Sequence, residues 1–387
     1  MKIFQVLPYY PPHVGGMEFY VQKLSEDLAA RGHEVTVFTS SNSCFSGGCE
    51  EVNGVRVFRL RTLAKAYNVP IVPSLFKKLL HEEKPDILHA HQYPVFFSDV
   101  SAAVSQFRRE VLLLHVHVIP ESVSAFSGLV SKMYYRTVGR LAFRTAHRVI
   151  TPSSAYKTML AGIGVEPKKI RVVPYGIDLS RFHSKDGESF RKRYGCEGSN
   201  VILTVGRLNY QKGFQYLLKA MPMVIKHFQN AKLVIVGDGE QITYLRDLTQ
   251  SLGLCNSTIF TGAIPPMEIP EAYAAADVFV LPSLFESFGI ALIEAQAAGK
   301  PVVSTRVGGA PEALQEDKTG FLVDPKDSEQ LGKAIIRVLS NEKLAREMGE
   351  NGKKFVGARF DMRYIVDKVT AMYEELITNN TCNKEED

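Results

Sequence analysis

Tryptophan is absent from the 387 residues, and cysteine is scarce. Cys44, Cys49, Cys196, Cys255 and Cys382 are odd in number and form no C-x-x-C pair, so neither a disulfide framework nor a zinc site is expected. Reduced thiols fit a cytosolic chain. No run of eighteen apolar residues occurs, which excludes an ordinary membrane-spanning helix. The opening MKIFQVLPYYPP carries one lysine and a short apolar stretch before its prolines, and reads as a first strand rather than a signal peptide. The expected location is cytoplasmic. No Asp-x-Asp pair follows an apolar strand, so no bound Mg²⁺ or Mn²⁺ is expected. Basic residues interleaved with aromatics across one face are also missing, and nucleic acid is not an expected partner.

What is present is a globular composition, 45% hydrophobic and 22% charged, in a chain long enough for two cores. The charge is uneven. Residues 1–175 carry 21 Lys and Arg against 13 Asp and Glu, whereas the rest of the chain is slightly acidic. A basic first half suits an anionic surface or acceptor.

Apolar runs of strand length alternate with helical patterns throughout. The expected strands are Lys2–Leu7, Glu34–Thr39, Val55–Leu60, Asp86–Ala90, Val111–His117 and Arg148–Thr151, then Val201–Val205, Lys232–Val236, Thr258–Thr261, Asp277–Leu281, Pro301–Ser304 and Gly320–Val323. Helical stretches such as Glu18–Arg31, with Gly32 at its end, lie between most of them. Such alternation of Val/Ile/Leu-rich strands with helices implies an α/β protein with parallel sheets. Two doubly wound, Rossmann-like domains are expected at 1–175 and 200–360, joined by a polar linker at 176–199. A helix at 361–378 packs back on the first domain, and residues 379–387 form a disordered tail. Ligands of open α/β sheets bind beyond the carboxyl ends of the strands, so two facing domains would place the site in a cleft.

Four loops carry candidate chemistry. Pro11-Pro12-His13-Val14-Gly15-Gly16 follows the first strand and precedes a helix, so it serves either as a tight turn or as a close approach of backbone to an anion. Gly206-Arg207-Leu208-Asn209-Tyr210-Gln211-Lys212-Gly213 follows another strand but lacks the Ser/Thr of a phosphate loop. Arg207 as a fork and Lys212 as a point charge would clamp a diphosphate; the plainer reading is a solvated basic loop. The segment Pro282–Glu294 holds two glutamates with seven residues between them, Glu286 in a loop and Glu294 inside an apolar helix opening near Gly289. A carboxylate there is costly unless paired or bound to a ligand. The amides from Gly289 to Leu292 sit at the positive end of that helix. Val307-Gly308-Gly309-Ala310-Pro311-Glu312 either lines the same site or forms a turn.

His115 and His117 share one face of a strand, but no third ligand is evident nearby, so a metal is not expected. Lys132, Arg136, Arg140, Arg144 and Arg148 put a cation at every fourth position with apolar residues between, which suits either an anionic lipid surface or a plain solvated helix face.

In these residues the chain resembles glycosyltransferase family 4, the large retaining group with the GT-B fold. The resemblance spans nearly the whole chain, from YPPHVGGMEFYVQKLSEDLAARGHEVTVFT through GRLNYQKGF and ADVFVLPS to ESFGIALIEAQAAGKPVV. Its opening is similar to the branch of phosphatidylinositol glycan-class and bacterial lipid or polysaccharide transferases. The resemblance implies a metal-independent hexosyl transfer from a UDP- or GDP-sugar to a lipid-linked or saccharide acceptor, without a cofactor. It also implies roles. Glu294 holds the donor ribose, while Arg207 and Lys212 neutralise the diphosphate with the amides of Phe288, Gly289, Ile290, Ala291 and Leu292. Glu286 orients the sugar, Gly15 and Gly16 lie on the acceptor side near the phosphates, and His117 contacts the transferred sugar. His115, two positions earlier, fits that alignment as an alternative. Tyr175 stands where many members have Asn. A peripheral place on the inner face of a membrane would follow from the basic stripe. The rival readings are a sugar-nucleotide epimerase of similar fold and a catalytically silent partner subunit.

Overall fold

The computed structural model describes residues 1–13, 15–41, 48–66, 69–92, 96–117, 138–183 and 186–385. The chain divides into unit 1, Met1–Gly176 with Met362–Asp387, and unit 2, Ile177–Asp361.

In unit 1 the strands are β1 (Lys2–Val6), β2 (Glu34–Ser41), β3 (Gly48–Val52), β4 (Val55–Arg61), β5 (Ala64–Ala66), β6 (Val69–Ile71), β7 (Ile87–Gln92), β8 (Leu112–Val116), β9 (Arg148–Thr151) and β10 (Ile170–Val172). Eight of them form one sheet in the order β10-β9-β8-β7-β1-β2-β4-β3, parallel except for β3 against β4. Ile3, Phe4, Gln5 and Val6 are all fully buried, as expected of a central strand covered on both faces. The strand β3 has no apolar alternation and lies exposed at the edge. It exists because Asn53-Gly54, both at positive φ, turns the chain back onto β4.

The C-terminal helix Met362–Glu385 belongs to unit 1 and packs on the helix Gly16–Ala30. Tyr373 is fully buried, and Arg31–Asp367 and Arg148–Glu375 ion pairs, each 2.6 Å, tie the helix to the unit. It extends beyond 378 through most of the expected disordered tail. Once a helix is nucleated, each added residue gains a hydrogen bond, so even weak helix formers such as Asn and Thr prolong it.

Unit 2 contains β11 (Asn200–Val205), β12 (Ala231–Val236), β13 (Thr258–Gly262), β14 (Val278–Leu281), β15 (Val302–Thr305) and β16 (Gly320–Val323), all parallel, in the order β13-β12-β11-β14-β15-β16. Its core joins Ile202, Leu233, Ile235, Val280 and Val303 of the sheet to Phe214, Leu217, Met221, Leu331 and Ile335 of the covering helices.

The expected linker at 176–199 is corrected by the structure. From Ile177 onward the chain is part of unit 2, with a 3-10 turn at Leu179–Phe182 and a helix at Glu188–Arg193. Phe182, Phe190 and Cys196 are buried, and Arg191 reaches the Ala275 and Ser199 carbonyls and Asp277. These few apolar anchors inside a charged stretch are enough to seat it on the unit.

Candidate functional site

The strand order of unit 2 reverses between β11 and β14. Connections leaving these two neighbours run to opposite sides of the sheet, which opens a crevice at their carboxyl ends. The loops at that point are 206–213 and 282–289, two of the four singled out from the sequence.

Their backbones are locked together. Gly213 has φ of 68°, and a Cβ there would collide with the Pro282 carbonyl oxygen, so only glycine allows this approach. The Leu284 amide donates to the Gln211 carbonyl at 2.7 Å. The third loop joins them: the Gly309 amide donates to the Glu286 carbonyl at 3.0 Å, and a Cβ on Gly308 would strike that same oxygen. Val307–Glu312, which includes a 3-10 turn at Ala310–Glu312, therefore holds the backbone of Glu286.

Lys212 ends a 3-10 turn capped by Asn209 and donates from Nζ to Glu286 Oε2 at 2.7 Å, while Ser283 Oγ lies 3.4 Å from the same oxygen. Two residues 74 apart in sequence thus meet as a pair. Lys212 is accordingly not a free cation. Arg207 is exposed, and its guanidinium has no partner among the described residues.

The helix bearing Glu294 spans Ile290–Ala297 and starts at Gly289 with φ of 100°. The Leu292 amide, expected to face an anion, donates to the Gly289 carbonyl at 2.9 Å. Ile290 and Ala291 remain as the first-turn amides without an intrahelical acceptor. The Phe288 ring is buried and packs edge-on against Phe360, so any ligand contact there belongs to its backbone.

Glu294 is half-buried, and its Oε2 accepts the Tyr273 hydroxyl at 2.8 Å. Desolvation pushes its carboxyl above the usual range, opposed by the Tyr273 bond and the Arg181 charge. Neither partner is inferable from local spacing, and Arg181 comes from the segment expected to be a linker. A separate cavity in unit 2, lined by Gln315, Lys318, Asn351, Lys354 and Arg359 among others, involves none of these residues.

In unit 1, Gly15 and Gly16 sit at the start of the helix Gly16–Ala30. Val14 lies outside the described residues. The buried Glu18 carboxylate fills the space over Gly15, where a Cβ would collide with it, and lies 3.3 Å from His13 Nδ1. The helix thus supplies its own anion at the place expected to face phosphates.

The expectation that His115 and His117 lack a third candidate ligand is overturned. His89 and His91 on β7 lie beside them, with His91 in register with His115, and all four are buried. The signal was an H-x-H pair at the end of each of two consecutive strands, with His91 one residue past the expected end at Ala90. His117 Nδ1 lies 2.7 Å from the Tyr175 hydroxyl and its Nε2 is 2.8 Å from His91 Nδ1. His91 Nε2 is 2.7 Å from Gln5 Oε1, and His89 Nδ1 is 2.6 Å from the Tyr373 hydroxyl. Burial lowers all four imidazoles, to about 3 for His89 and His117, so the rings are neutral.

The basic stripe survives only in part. Arg140 and Arg144 are exposed on the helix Val138–Thr145 with Leu141 between them, whereas Arg148 belongs to β9 and pairs with Glu375. The arginine repeat ran past the end of its helix. Lys132 and Arg136 lie outside the described residues. Among the described residues no helix is long and apolar enough to cross a membrane.

Residues 14–181 match the family model described as Glycosyltransferase Family 4, and residues 186–355 match Glycosyl transferases group 1. An uncharacterised glycosyltransferase of Methanocaldococcus jannaschii is 32% identical, over 97% of this chain and 98% of its own. A GDP-mannose-dependent alpha-(1-6)-phosphatidylinositol monomannoside mannosyltransferase of Mycolicibacterium smegmatis is 30% identical, over 89% of this chain and 91% of its own. Among solved structures, the Anabaena protein HepE in complex with UDP-glucose superposes with a TM-score of 0.82 at 23% identity, over 97% of this chain and 100% of that one.

Proposed function

We propose that this chain, which belongs to glycosyltransferase family 4, transfers a hexosyl group from a UDP- or GDP-sugar to a lipid-linked or saccharide acceptor with retention of configuration. It is a glycosyltransferase with the GT-B fold of two Rossmann-like domains. The observation that supports the finer reading is that Arg207, the Lys212–Glu286 pair and the helix Ile290–Ala297 with Glu294 all follow β11 or β14, the two strands at the switch point of unit 2.

In this reading the Glu294 carboxylate accepts hydrogen bonds from the two ribose hydroxyls. Arg207 and the Ile290 and Ala291 amides receive the diphosphate, whose charge grows as the glycosidic C–O bond breaks. Glu286 is a sugar-orienting carboxylate held by Lys212, and the Lys212 ammonium spans from that carboxylate toward the phosphate. These are fixed charges and dipoles that need no reorganisation during the reaction, so no metal is required for departure. The acceptor oxygen forms its bond to the anomeric carbon on the face that the diphosphate leaves, and the acceptor proton passes to a phosphate oxygen. No protein base enters the balance. For His117 to meet the sugar, its ring must exchange the His91 or the Tyr175 contact for a hydroxyl.

The GDP-mannose-dependent relative and the UDP-glucose complex of the Anabaena protein set the choice of bases to screen. An epimerase would consume the same donors without an acceptor, and a silent subunit would bind none. Thermal unfolding with UDP-, GDP- and ADP-sugars separates a subunit that binds no donor from the two enzymes. A true donor at 100 times its Kd adds about 2.7 kcal/mol and raises the midpoint by several degrees. No shift with any of them would remove the donor assignment, and isomerisation of the sugar nucleotide without transfer would favour the epimerase.

A further inference from the structure

The histidine cluster of unit 1 has more nitrogen than its hydrogen bonds use. His89, His91 and His115 are fully buried, and one ring nitrogen of each lies within 4.8 Å of one from each of the others. Neither nitrogen of His115 has a hydrogen-bond partner among the described residues, and His89 Nε2 has none either. A buried polar atom left unpaired costs roughly 1–3 kcal/mol, so three such nitrogens in one place call for a shared partner. A neutral imidazole has one N–H and one lone pair, which means that neighbouring rings cannot satisfy one another unless their tautomers alternate.

We propose that His89, His91 and His115 bind one divalent transition-metal ion of the zinc type in the interior of unit 1. Each ring has a partner able to fix the required tautomer. In the tautomer whose Nδ1–H donates to the Tyr373 oxygen, which also accepts from Gln5 Nε2 at 3.3 Å, His89 presents the Nε2 lone pair. With its Nε2–H directed to Gln5 Oε1, His91 presents the Nδ1 lone pair, at present facing His117. His115 is free to present either nitrogen. Such second-sphere partners are the usual companions of metal-bound histidine. The donor set is all neutral imidazole, with no carboxylate or thiolate, which suits Zn²⁺, Cu²⁺ or Ni²⁺ and not the oxygen-seeking Mg²⁺ or Ca²⁺. Donors about 2.1 Å from a common ion lie at most about 4.2 Å apart, so the cluster tightens slightly on binding. Because His91 Nδ1 would turn from His117 to the ion, binding releases His117 Nε2. The proposal does not depend on the transfer reading, since these residues lie in unit 1 and the glutamates in unit 2.

The test uses the full chain, stripped with chelator and titrated with Zn²⁺ by calorimetry and with Co²⁺ by visible absorption. The expected result is one tight site per chain, a Zn²⁺-dependent rise in the unfolding midpoint, and Co²⁺ ligand-field bands. In His115→Ala the affinity should fall by at least about 100-fold, because a ligand is lost rather than a second-sphere partner. Should that variant not fold, X-ray absorption on the wild-type zinc complex reads the same point, with imidazole nitrogen neighbours at about 2.0–2.1 Å expected. No stoichiometric binding would overturn the proposal and leave the cluster as packed polar core. Full binding by a folded His115→Ala variant, which indicates a surface site, or a first shell without imidazole would overturn it equally.

Discussion

Replacing Glu294 by Gln separates the two demands placed on that residue. The substitution keeps an oxygen to accept the Tyr273 hydroxyl, now at 2.8 Å, and deletes only the charge. Desolvation raises the Glu294 pKa, so in the ligand-free protein the ionised carboxylate is a cost to folding. The Gln variant should therefore unfold at the same temperature as wild type or slightly above it. Donor binding should change in the opposite direction. Hydrogen bonds to a charged acceptor are worth about 1.5–3 kcal/mol against about 1 for neutral ones. Losing that difference, about 0.5–2 kcal/mol, at each of two ribose hydroxyls weakens a nucleoside diphosphate by about 5- to 700-fold, at 1.4 kcal/mol per decade. Calorimetric titration with UDP and GDP, alongside thermal unfolding, measures both quantities. A pH series adds an internal check. Because the carboxyl pKa is raised, wild-type affinity should begin to fall on acidification above the usual carboxylate range, and this step should be absent in Glu294→Gln. Unchanged affinity with unchanged stability would refute the ribose assignment. Parallel loss of affinity and stability would show that Glu294 serves the fold instead.

Lys212→Met should cut turnover by orders of magnitude and destabilise the protein by about 1–3 kcal/mol, because it strands the mostly buried Glu286 carboxylate; adding Glu286→Gln should recover stability but not turnover, as read by urea midpoints and product release. Gly213→Ala, forced against the Pro282 carbonyl at positive φ, should cost about 1–3 kcal/mol and displace Lys212, with lowered midpoint and activity together. Depressed histidine pKa values mean that the stability they contribute is complete above pH 6.5 and lost as pH falls toward the folded values. At pH 5.5 the loss is roughly 1.4 kcal/mol per histidine, so the urea midpoint of metal-free protein should drop sharply between pH 7.5 and 5.5. A flat midpoint would contradict the burial of these rings as neutral groups. Arg140→Glu with Arg144→Glu should weaken flotation with anionic vesicles at low salt, and unchanged flotation would exclude this helix as the contact.

Much of the fold was legible because central parallel strands must be apolar on both faces. Arg148–Thr151 and Gly320–Val323 have the expected bounds, and the other expected strands differ from the observed ones by one or two residues at an end. The edge strand β3 escaped this logic, since it is exposed and stabilised by the hairpin at Asn53-Gly54 rather than by burial. The segment 176–199 reads as a linker because its charged residues outnumber the buried Phe182, Phe190 and Cys196 that seat it. At the candidate site, residue type and placement after strands single out Glu286, Glu294, Arg207 and Lys212. Their pairings were not. Lys212 with Glu286, Tyr273 with Glu294 and the four-histidine cluster join residues that are distant in sequence, and only the strand order brings them together. The same limit applies to Gly15, whose helix end is filled by Glu18, one turn along.

Sugar transfer is read from the release of nucleoside diphosphate. Purified protein is incubated with UDP- or GDP-hexoses and a panel of lipid-linked and saccharide acceptors, and diphosphate and glycoside are followed together. Acceptor-dependent release in step with a glycoside of retained configuration is expected, abolished by Lys212→Met. Release of no diphosphate from a donor shown to bind, or formation of a glycoside of inverted configuration, would contradict it.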